Sequence, residues 1–525
     1  MLKISQIKID CLLDQEENIP KKILGKLHIK REELIDYQIL RRSIDARDKN
    51  QIFYVYEVAL NIKNEESILK HNKDSNITSF KINNYNYNLE PKNKDIKPII
   101  VGLGPAGLFA AYVFVLNGIK PLIIERGEDV DSRIKTIEKF WKTNILNENS
   151  NVQFGEGGAG TFSDGKLNTL TKDKEGRGRF VLKTFVQFGA DPDILISNTP
   201  HIGTDVLRRV IKNMRHFLEE NGAIIRFNTC LTNINYEDNQ ITSINVNNHE
   251  VINTNQLILA IGHSARDTFR MLHEKNVFME AKPFAVGLRI QHPQELINKS
   301  QYGTKYKNHL GAANYKLTHT SSNSHGVYSF CMCPGGYVVN ASSTKNHLAI
   351  NGMSNYKRDS KNANSALVVT VGSSTYGNTL FAGLEFQEEL ERKAYNLGEG
   401  NIPLQLLKDY FNNQKSTALG TVFPEIKGCY TFANLNELLP KELSDALKEG
   451  ISSFANKIED FDYPDAILTG IESRTSSPIK IPRDELGNAN IKGIYPCGEG
   501  AGYAGGIMTS AIDGMKIAET IIKNS

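Results

Sequence analysis

The chain has no apolar stretch approaching the length of a membrane-spanning helix. Cysteine is scarce: six in 525 residues, scattered apart from Cys331 and Cys333. That does not fit the disulfide framework of a small secreted domain. Charge of one sign is missing too. Against 59 Asp+Glu stand 62 Lys+Arg, a net +3, so no global basic field points to nucleic acid. The first residues, MLKISQIKIDCLLDQEEN, lack the basic n-region, long apolar core and small-residue cleavage site of a signal peptide. Together these absences predict a cytoplasmic protein with no membrane span and no clear nucleic-acid binding. With 40% hydrophobic and 23% charged residues the composition is that of a soluble globular protein. The length predicts two or three domains.

Residues 98–127, PIIVGLGPAGLFAAYVFVLNGIKPLIIERG, organise the rest. A short apolar run leads into Gly102, Gly104 and Gly107. A helical stretch, Leu108 to Leu116, follows and ends at Gly118. A second apolar run closes on Glu125. Strand, glycine turn, helix, strand and acid in this order make a dinucleotide-binding βαβ unit. Gly102 permits the tight turn. Gly104, without a Cβ, lets the backbone approach a pyrophosphate, and Gly107 lets helix and strand pack closely. The helix start offers N–H groups and positive potential to the phosphates. Glu125 stands where a carboxylate accepts hydrogen bonds from the adenosine ribose.

Two other glycine triplets match the spacing, Gly155/Gly157/Gly160 and Gly500/Gly502/Gly505. The first precedes no helix, and the second has no strand and acid after it, so only the match at Gly102 is complete. A dedicated NAD(P)H domain is therefore not expected, which leaves NAD(P)H as a transient reductant docking at the bound cofactor. The stretch 149–168, NSNVQFGEGGAGTFSDGKLN, contains Gly157, Gly158 and Gly160 and suits a backbone wrapped around a planar ligand.

Upstream, 1–90 reads as a small α/β domain with a linker. Ile52 to Ile62 is its strongest strand, Pro20 to Leu27 a short helix, and Arg41, Arg42 and Arg47 a solvated charged face. Residues 63–97 read partly as the linker. Downstream, Asp205 to Glu220 has helical periodicity with Thr204 as N-cap. Residues 230–254 alternate like a β meander, turning at Asp238-Asn239 and Asn247-Asn248. Gln256 to Gly262 is a buried strand, with His263 and Ser264 at its end. From 283 to 480 several strands and helices predict an inserted α+β substrate or cap domain. The chain then returns to the first sheet over 481–525 through Gly493 to Cys497, then Gly498-Glu499, Gly505-Gly506, and a helix starting at Ile507. The fold class predicted is thus α/β: a Rossmann-like dinucleotide-binding domain (95–282 and 481–525, parallel sheet with β meander), the inserted domain (283–480) and the small N-terminal domain (1–90).

The late strand resembles that of flavoproteins of the glutathione-reductase type, which ends in a Gly-acid-Gly pattern. Glu499 matches the acid that meets the ribityl chain of FAD, and Gly505-Gly506-Ile507 the helix start at the flavin. The chain as a whole resembles a family of bacterial FAD-dependent dehydrogenases, the NAD(P)/FAD-dependent oxidoreductases. The resemblance rests on VGLGPAGLFAA, SNVQFGEGGAGTFSDGKL, PHIGTD (200–205), KPFAVGLRI (282–290), YSFCMCPGG (328–336), NGMSNYKRD (351–359), RTSSPIKI (474–481) and YPCGEGAGYAGGI (495–507). It departs from the pattern at Gln291, where Glu is expected before His292-Pro293. The resemblance implies non-covalent FAD and supplies no substrate.

The cofactor-binding set expected is Gly102, Gly104, Pro105, Ala106, Gly107, Glu125, Arg126, Gly157, Gly158, Gly160, Gly262, Gly498, Glu499, Gly505, Gly506 and Ile507. The chemistry expected is hydride transfer between flavin N5 and a substrate. Cys331-x-Cys333 is either a redox pair or two buried cysteines at a strand end. His201, His263 and His325 are acid/base candidates or structural histidines. Arg474 holds an anion or caps a loop. Paired Cys and His ligands at zinc spacing are missing, so no metal is expected. The rival class is a non-enzymatic flavoprotein that binds a protein or RNA partner, with FAD as a structural or redox-sensing element.

Overall fold

The computed structural model describes residues 1–91, 93–169 and 173–525. In the strand Leu2–Asp10, alternation of Leu2, Ile4, Ile7 and Ile9 buries one face, and a bulge at Gln6 restores the phase between Ile4 and Ile7. This strand lies between Phe53–Ile62 and Ile77–Ser79, with Leu34–Asp45 on the outer edge of the former. The helices Gln15–Leu27 and Glu65–His71 complete the unit, the first burying Ile19 and Ile23. The order is the β-α-β-β-α-β arrangement of ferredoxin-like units. Two expectations change here. Arg41 and Arg42 belong to a strand, and the Arg42 guanidinium bonds both Asp193 oxygens at 2.8 Å. The segment read partly as a linker also carries a helix, Glu65–His71. Beyond Ser79 it is strapped to the next unit: the Tyr85 hydroxyl donates to Glu519 (2.9 Å), and Asn117 bonds Tyr87 O and Leu89 N (2.9 Å each). Lys92, in the same stretch, lies outside the described residues.

Five three-residue strands form a parallel sheet in the order Ile494–Pro496, Leu257–Leu259, Ile99–Val101, Leu122–Ile124, Ile224–Arg226. Both faces are buried, as a parallel sheet requires. Ile100, Ile123 and Ile258 pack under the helices Pro105–Leu116 and Ile507–Asn524. Ile99, Val101, Leu257 and Leu259 pack under the meander Leu231–Glu237, Gln240–Val246, Glu250–Asn253. The meander turns at the expected pairs, all four residues with positive φ. Strand order reverses direction at Ile99–Val101, whose neighbours come from both later parts of the chain; ligands of such sheets sit there.

Residues beyond 283 build a seven-stranded sheet in the order Thr318–Thr320, Gly326–Cys333, Asn362–Val371, Phe284–Pro293, Ile467–Glu472, Ile402–Leu406, Tyr430–Phe432. The helices Ala382–Leu397 and Lys441–Ala455 bury their apolar sides against it. Among the described residues no helix is long and apolar enough to cross a membrane.

Candidate functional site: a cavity with two kinds of wall

At the C-terminal end of Ile99–Val101 a cavity of about 650 Å³ opens. Gly102 has φ +99°, and a Cβ there would run into the Ala260 carbonyl; a Cβ on Gly107 would run into the Gly102 carbonyl. Strand and helix therefore meet at backbone distance. Gly104, the N-cap of Pro105–Leu116, faces the cavity, where its nearest neighbour is Gly158. Across the space, Gly262, Gly505 and Gly506 have nothing within 4 Å of where a Cβ would stand. Gly506 caps the helix Ile507–Asn524.

Two buried charged residues shape this end. The Glu125 carboxylate accepts from Leu103 N (2.8 Å), Gly127 N (2.9 Å) and Gly155 N (3.0 Å), tying three loops together. Arg133, which the sequence reading missed, is fully buried and donates to the carbonyls of Asn151, Val152, Glu156 and Gly158 at 2.7–3.0 Å. It is the peg around which the glycine-rich loop winds. Arg126 lies over the Phe154 ring and pairs with Asp267.

Of the expected cofactor set, Gly102, Gly104, Pro105, Ala106, Glu125, Arg126, Gly158, Gly160, Gly262, Glu499, Gly505, Gly506 and Ile507 line the cavity. Gly107, Gly157 and Gly498 are set behind the wall, where Gly157 N bonds Leu103 O and Gly498 N bonds Asp513. Thr204 is not an N-cap: Gly203, with φ +77°, takes that place, and the Thr204 hydroxyl donates to Thr161 O (2.5 Å).

The three histidines separate. His263 lines the cavity; its Nδ1 is 3.1 Å from Glu499 Oε1, and its Nε2 is buried without a partner among the described residues. His201 lies off the wall, stacked on Tyr356 with Nε2 3.0 Å from the Tyr356 carbonyl. Burial, with Arg358 nearby, pulls it below the ordinary imidazole range. His325 is half-buried just before the strand Gly326–Cys333, near Thr370 O and away from the cavity lining.

Elsewhere the cavity is lined by Asp164, Lys166, Lys282, Cys331, Cys333, Asn351, Glu472 and Arg474. Both cysteines reach it. Cys333 is buried. Cys331, at φ +43° on a bulge, is exposed to the cavity rather than buried. The protein packed around the cavity desolvates both thiols, which pushes Cys331 up to about 12 and raises Cys333 as well. Neither thiol is set up as a thiolate nucleophile. Beside them the Lys166 ammonium donates to Met332 O and pairs with Asp164 (2.9 Å), which also takes two bonds from Arg358. Burial opposes the Asp164 charge, but Lys166 and Arg358 hold its carboxyl below the usual range. Behind Cys331, Arg289 is fully buried and donates to Glu472 (2.9 Å) and Asn364 (2.8 Å).

Arg474 is already committed. It grips Glu391 through Nε (2.9 Å) and Nη2 (2.8 Å) and reaches Ser343 and Ser264 through Nη1. Arg266 grips the same carboxylate at 2.8–2.9 Å. This buried Arg–Glu–Arg lock joins the helix after His263 to the seven-stranded unit, and commits four of the five Arg474 N–H groups to the protein.

A family model described as "FAD-dependent protein, C-terminal domain-like" matches residues 283–475. A domain family of unknown function matches residues 1–61. A protein of Clostridium beijerinckii, named only as uncharacterized, is 48% identical over 525 residues, 98% of each chain. Solved structures similar to this chain include a geranylgeranyl bacteriochlorophyll reductase-like protein from Thermoplasma acidophilum (12% identity, 82% of this chain, 78% of that one, TM-score 0.35). Glycine oxidase from Bacillus cereus is another (11%, 82% and 95%, TM-score 0.33). These likenesses are too remote to bring over a reaction. The full-length relative and the matched domain together show that the chain belongs to the family of FAD-dependent proteins that carry this C-terminal domain.

Proposed function

We propose that the chain is an FAD-dependent oxidoreductase in which a hydride passes between flavin N5 and a small molecule bound beneath the 283–475 domain. The observation that carries this is the continuity of the cavity: one space has bare glycine backbone at one end and charged side chains at the other. The glycine end fits the cofactor. Three Glu125 lone pairs are taken by backbone N–H groups, which leaves about one of four for a ribose hydroxyl. The first turn of Pro105–Leu116 would receive the pyrophosphate. Glu499, held by His263, would take ribityl hydroxyls, and the helix start at Gly506 would face the flavin. When bound, FAD supplies two-electron hydride chemistry; the protein supplies binding, orientation and electrostatics.

For the electron donor we favour a nicotinamide that docks transiently, since the chain has one complete dinucleotide fingerprint. The test is anaerobic mixing of the FAD-loaded protein with NADH or NADPH, followed at the flavin absorbance band. Bleaching by either supports the reading. Suppose neither nucleotide bleaches the flavin, and the chemically reduced protein passes electrons to no organic acceptor. The redox-sensing or structural flavoprotein would then be the better account.

A further inference from the structure

Three of the buried carboxyl groups near the cavity, Glu391, Asp164 and Glu472, are not held alike. Glu391 accepts five hydrogen bonds, from Arg266, Arg474 and Ser473. Asp164 is held on both oxygens by Arg358 and paired with Lys166. Glu472 has one partner: its Oε2 accepts from Arg289 Nε at 2.9 Å. Its Oε1 has no hydrogen-bond partner among the described residues, yet it is not a sealed, orphaned atom, because the side chain is 4% exposed and lines the cavity. A half-satisfied buried carboxyl costs stability. A purely structural ion pair would use both oxygens, as Glu391 does.

The rest of the setting holds Glu472 in place. It ends the strand Ile467–Glu472, opposite Gly287 of Phe284–Pro293. Arg289 cannot follow a ligand, since Asn364 and the Cys331 carbonyl hold its other N–H groups. Gly352 makes room for that guanidinium, which a Cβ would strike. Burial holds the Glu472 carboxyl above its usual range in spite of Arg289, whereas Glu391 is held well below it. Two guanidinium groups favour the anion of Glu391, whereas burial favours the proton on Glu472.

We propose that Glu472 Oε1 is the proton donor to the substrate, and that the substrate class is a carbonyl or imine, C=O or C=N. This rests on the FAD reading above for its hydride. As the hydride and its electron pair form a new C–H bond, the π pair moves to oxygen or nitrogen. The Glu472 O–H bond breaks and its proton goes to that atom. The products are an alcohol or amine and a Glu472 carboxylate facing Arg289, which solvent reprotonates. The two electrons come from a nicotinamide or another two-electron donor by way of FAD.

The test needs no known substrate. FAD-free protein at pH 7 is treated with diazoacetamide, a neutral reagent that esterifies protonated carboxyl groups, and labelled sites are read by peptide mass mapping. Glu472 should label faster than exposed carboxylates such as Glu16, because more of it carries the proton at a given pH. Asp164 and Glu391 should stay unlabelled. Labelling of Glu472 no faster than that of Glu16 overturns the proposal. In a second arm, the FAD-loaded and chemically reduced wild type and Glu472→Gln are mixed with pyruvate, benzaldehyde or 1-pyrroline, and flavin reoxidation is followed without oxygen. Glutamine keeps the acceptor for Arg289 and loses the proton. Where a compound reacts, the variant should be slower by about 10²–10³-fold, the scale of general acid catalysis; equal rates overturn the proposal. Where none reacts, the labelling result decides. Failure of the FAD reading shows separately, as protein that takes up no flavin, and leaves the labelling result intact.

Discussion

Beside Gly102 and Gly506 the cavity wall is bare backbone, whereas beside Glu472 and Lys166 it is charged side chains held by other charged side chains. The first arrangement suits a large invariant ligand approached closely along its length. The second suits selection of a small group, because each polar atom can be aimed. The lock of Arg266, Glu391 and Arg474 joins the two ends. The ends therefore break in different ways, and five variants separate them.

The largest stability effect should come from the lock. Glu391→Ala leaves two buried guanidinium groups unpaired, which should cost about 3–5 kcal/mol, measured by denaturant unfolding. The effect should depend on pH. The carboxyl of Glu391 is held well below its usual range in the folded chain. Its contribution is therefore fully present above the unfolded value and is lost as pH falls through the folded one. The gap between wild type and variant should narrow in acid; a gap that widens there would contradict the lock.

Gly506→Glu should do the reverse, with little loss of stability and a large loss of cofactor. Nothing lies within 4 Å of the new Cβ, so the loss is confined to backbone strain at φ +83° and ψ −178°, about 1–3 kcal/mol. The carboxylate, however, would stand at the positive helix start where reduced flavin carries negative charge. FAD should be lost, or the flavin potential should fall in a spectroscopic redox titration. A variant that keeps FAD at an unchanged potential would mean that this helix does not face the flavin.

Glu125→Ala and Glu499→Ala should both weaken FAD binding, through charge-assisted hydrogen bonds worth about 1.5–3 kcal/mol each. Only the first should also loosen the loops at Leu103, Gly127 and Gly155, whose N–H groups it holds. Amide exchange at those three positions distinguishes them: equal protection in both variants would reduce Glu125 to a ligand contact alone. The smallest effect is expected from the double change of Cys331 and Cys333 to Ser. With both thiols raised by burial, an anaerobic reductive titration should need the same two electrons per flavin in wild type and variant. Two extra electrons in the wild type would restore the redox pair.

The backbone end was legible in the sequence because its signal is local. Gly102, Gly104, Gly107 and Glu125 fall within one βαβ unit, and glycine spacing there reports a backbone path. The meander turns were legible for the same reason, since Asp238-Asn239 and Asn247-Asn248 tolerate positive φ. The charged end was not legible. Glu472 meets Arg289 across 183 positions and Arg266 meets Glu391 across 125, and nothing in either neighbourhood names the partner. Arg133 was missed because its acceptors are carbonyls, which every residue has. Arg42 was read as a solvated charge for want of a way to see Asp193, and Thr204 as a cap because the sequence does not show Gly203 at φ +77°.

The central claim is that one FAD lies along the glycine wall with its flavin toward the charged end. Equilibrium titration of the flavin-free protein with FAD, and in parallel with FMN, tests it most directly, followed by flavin absorbance and fluorescence. The account predicts saturation at one FAD per chain, much weaker binding of FMN, which lacks the adenosine that Glu125 would hold, and release of intact FAD on denaturation. Protein that binds FMN as tightly as FAD, or ignores both, would contradict it.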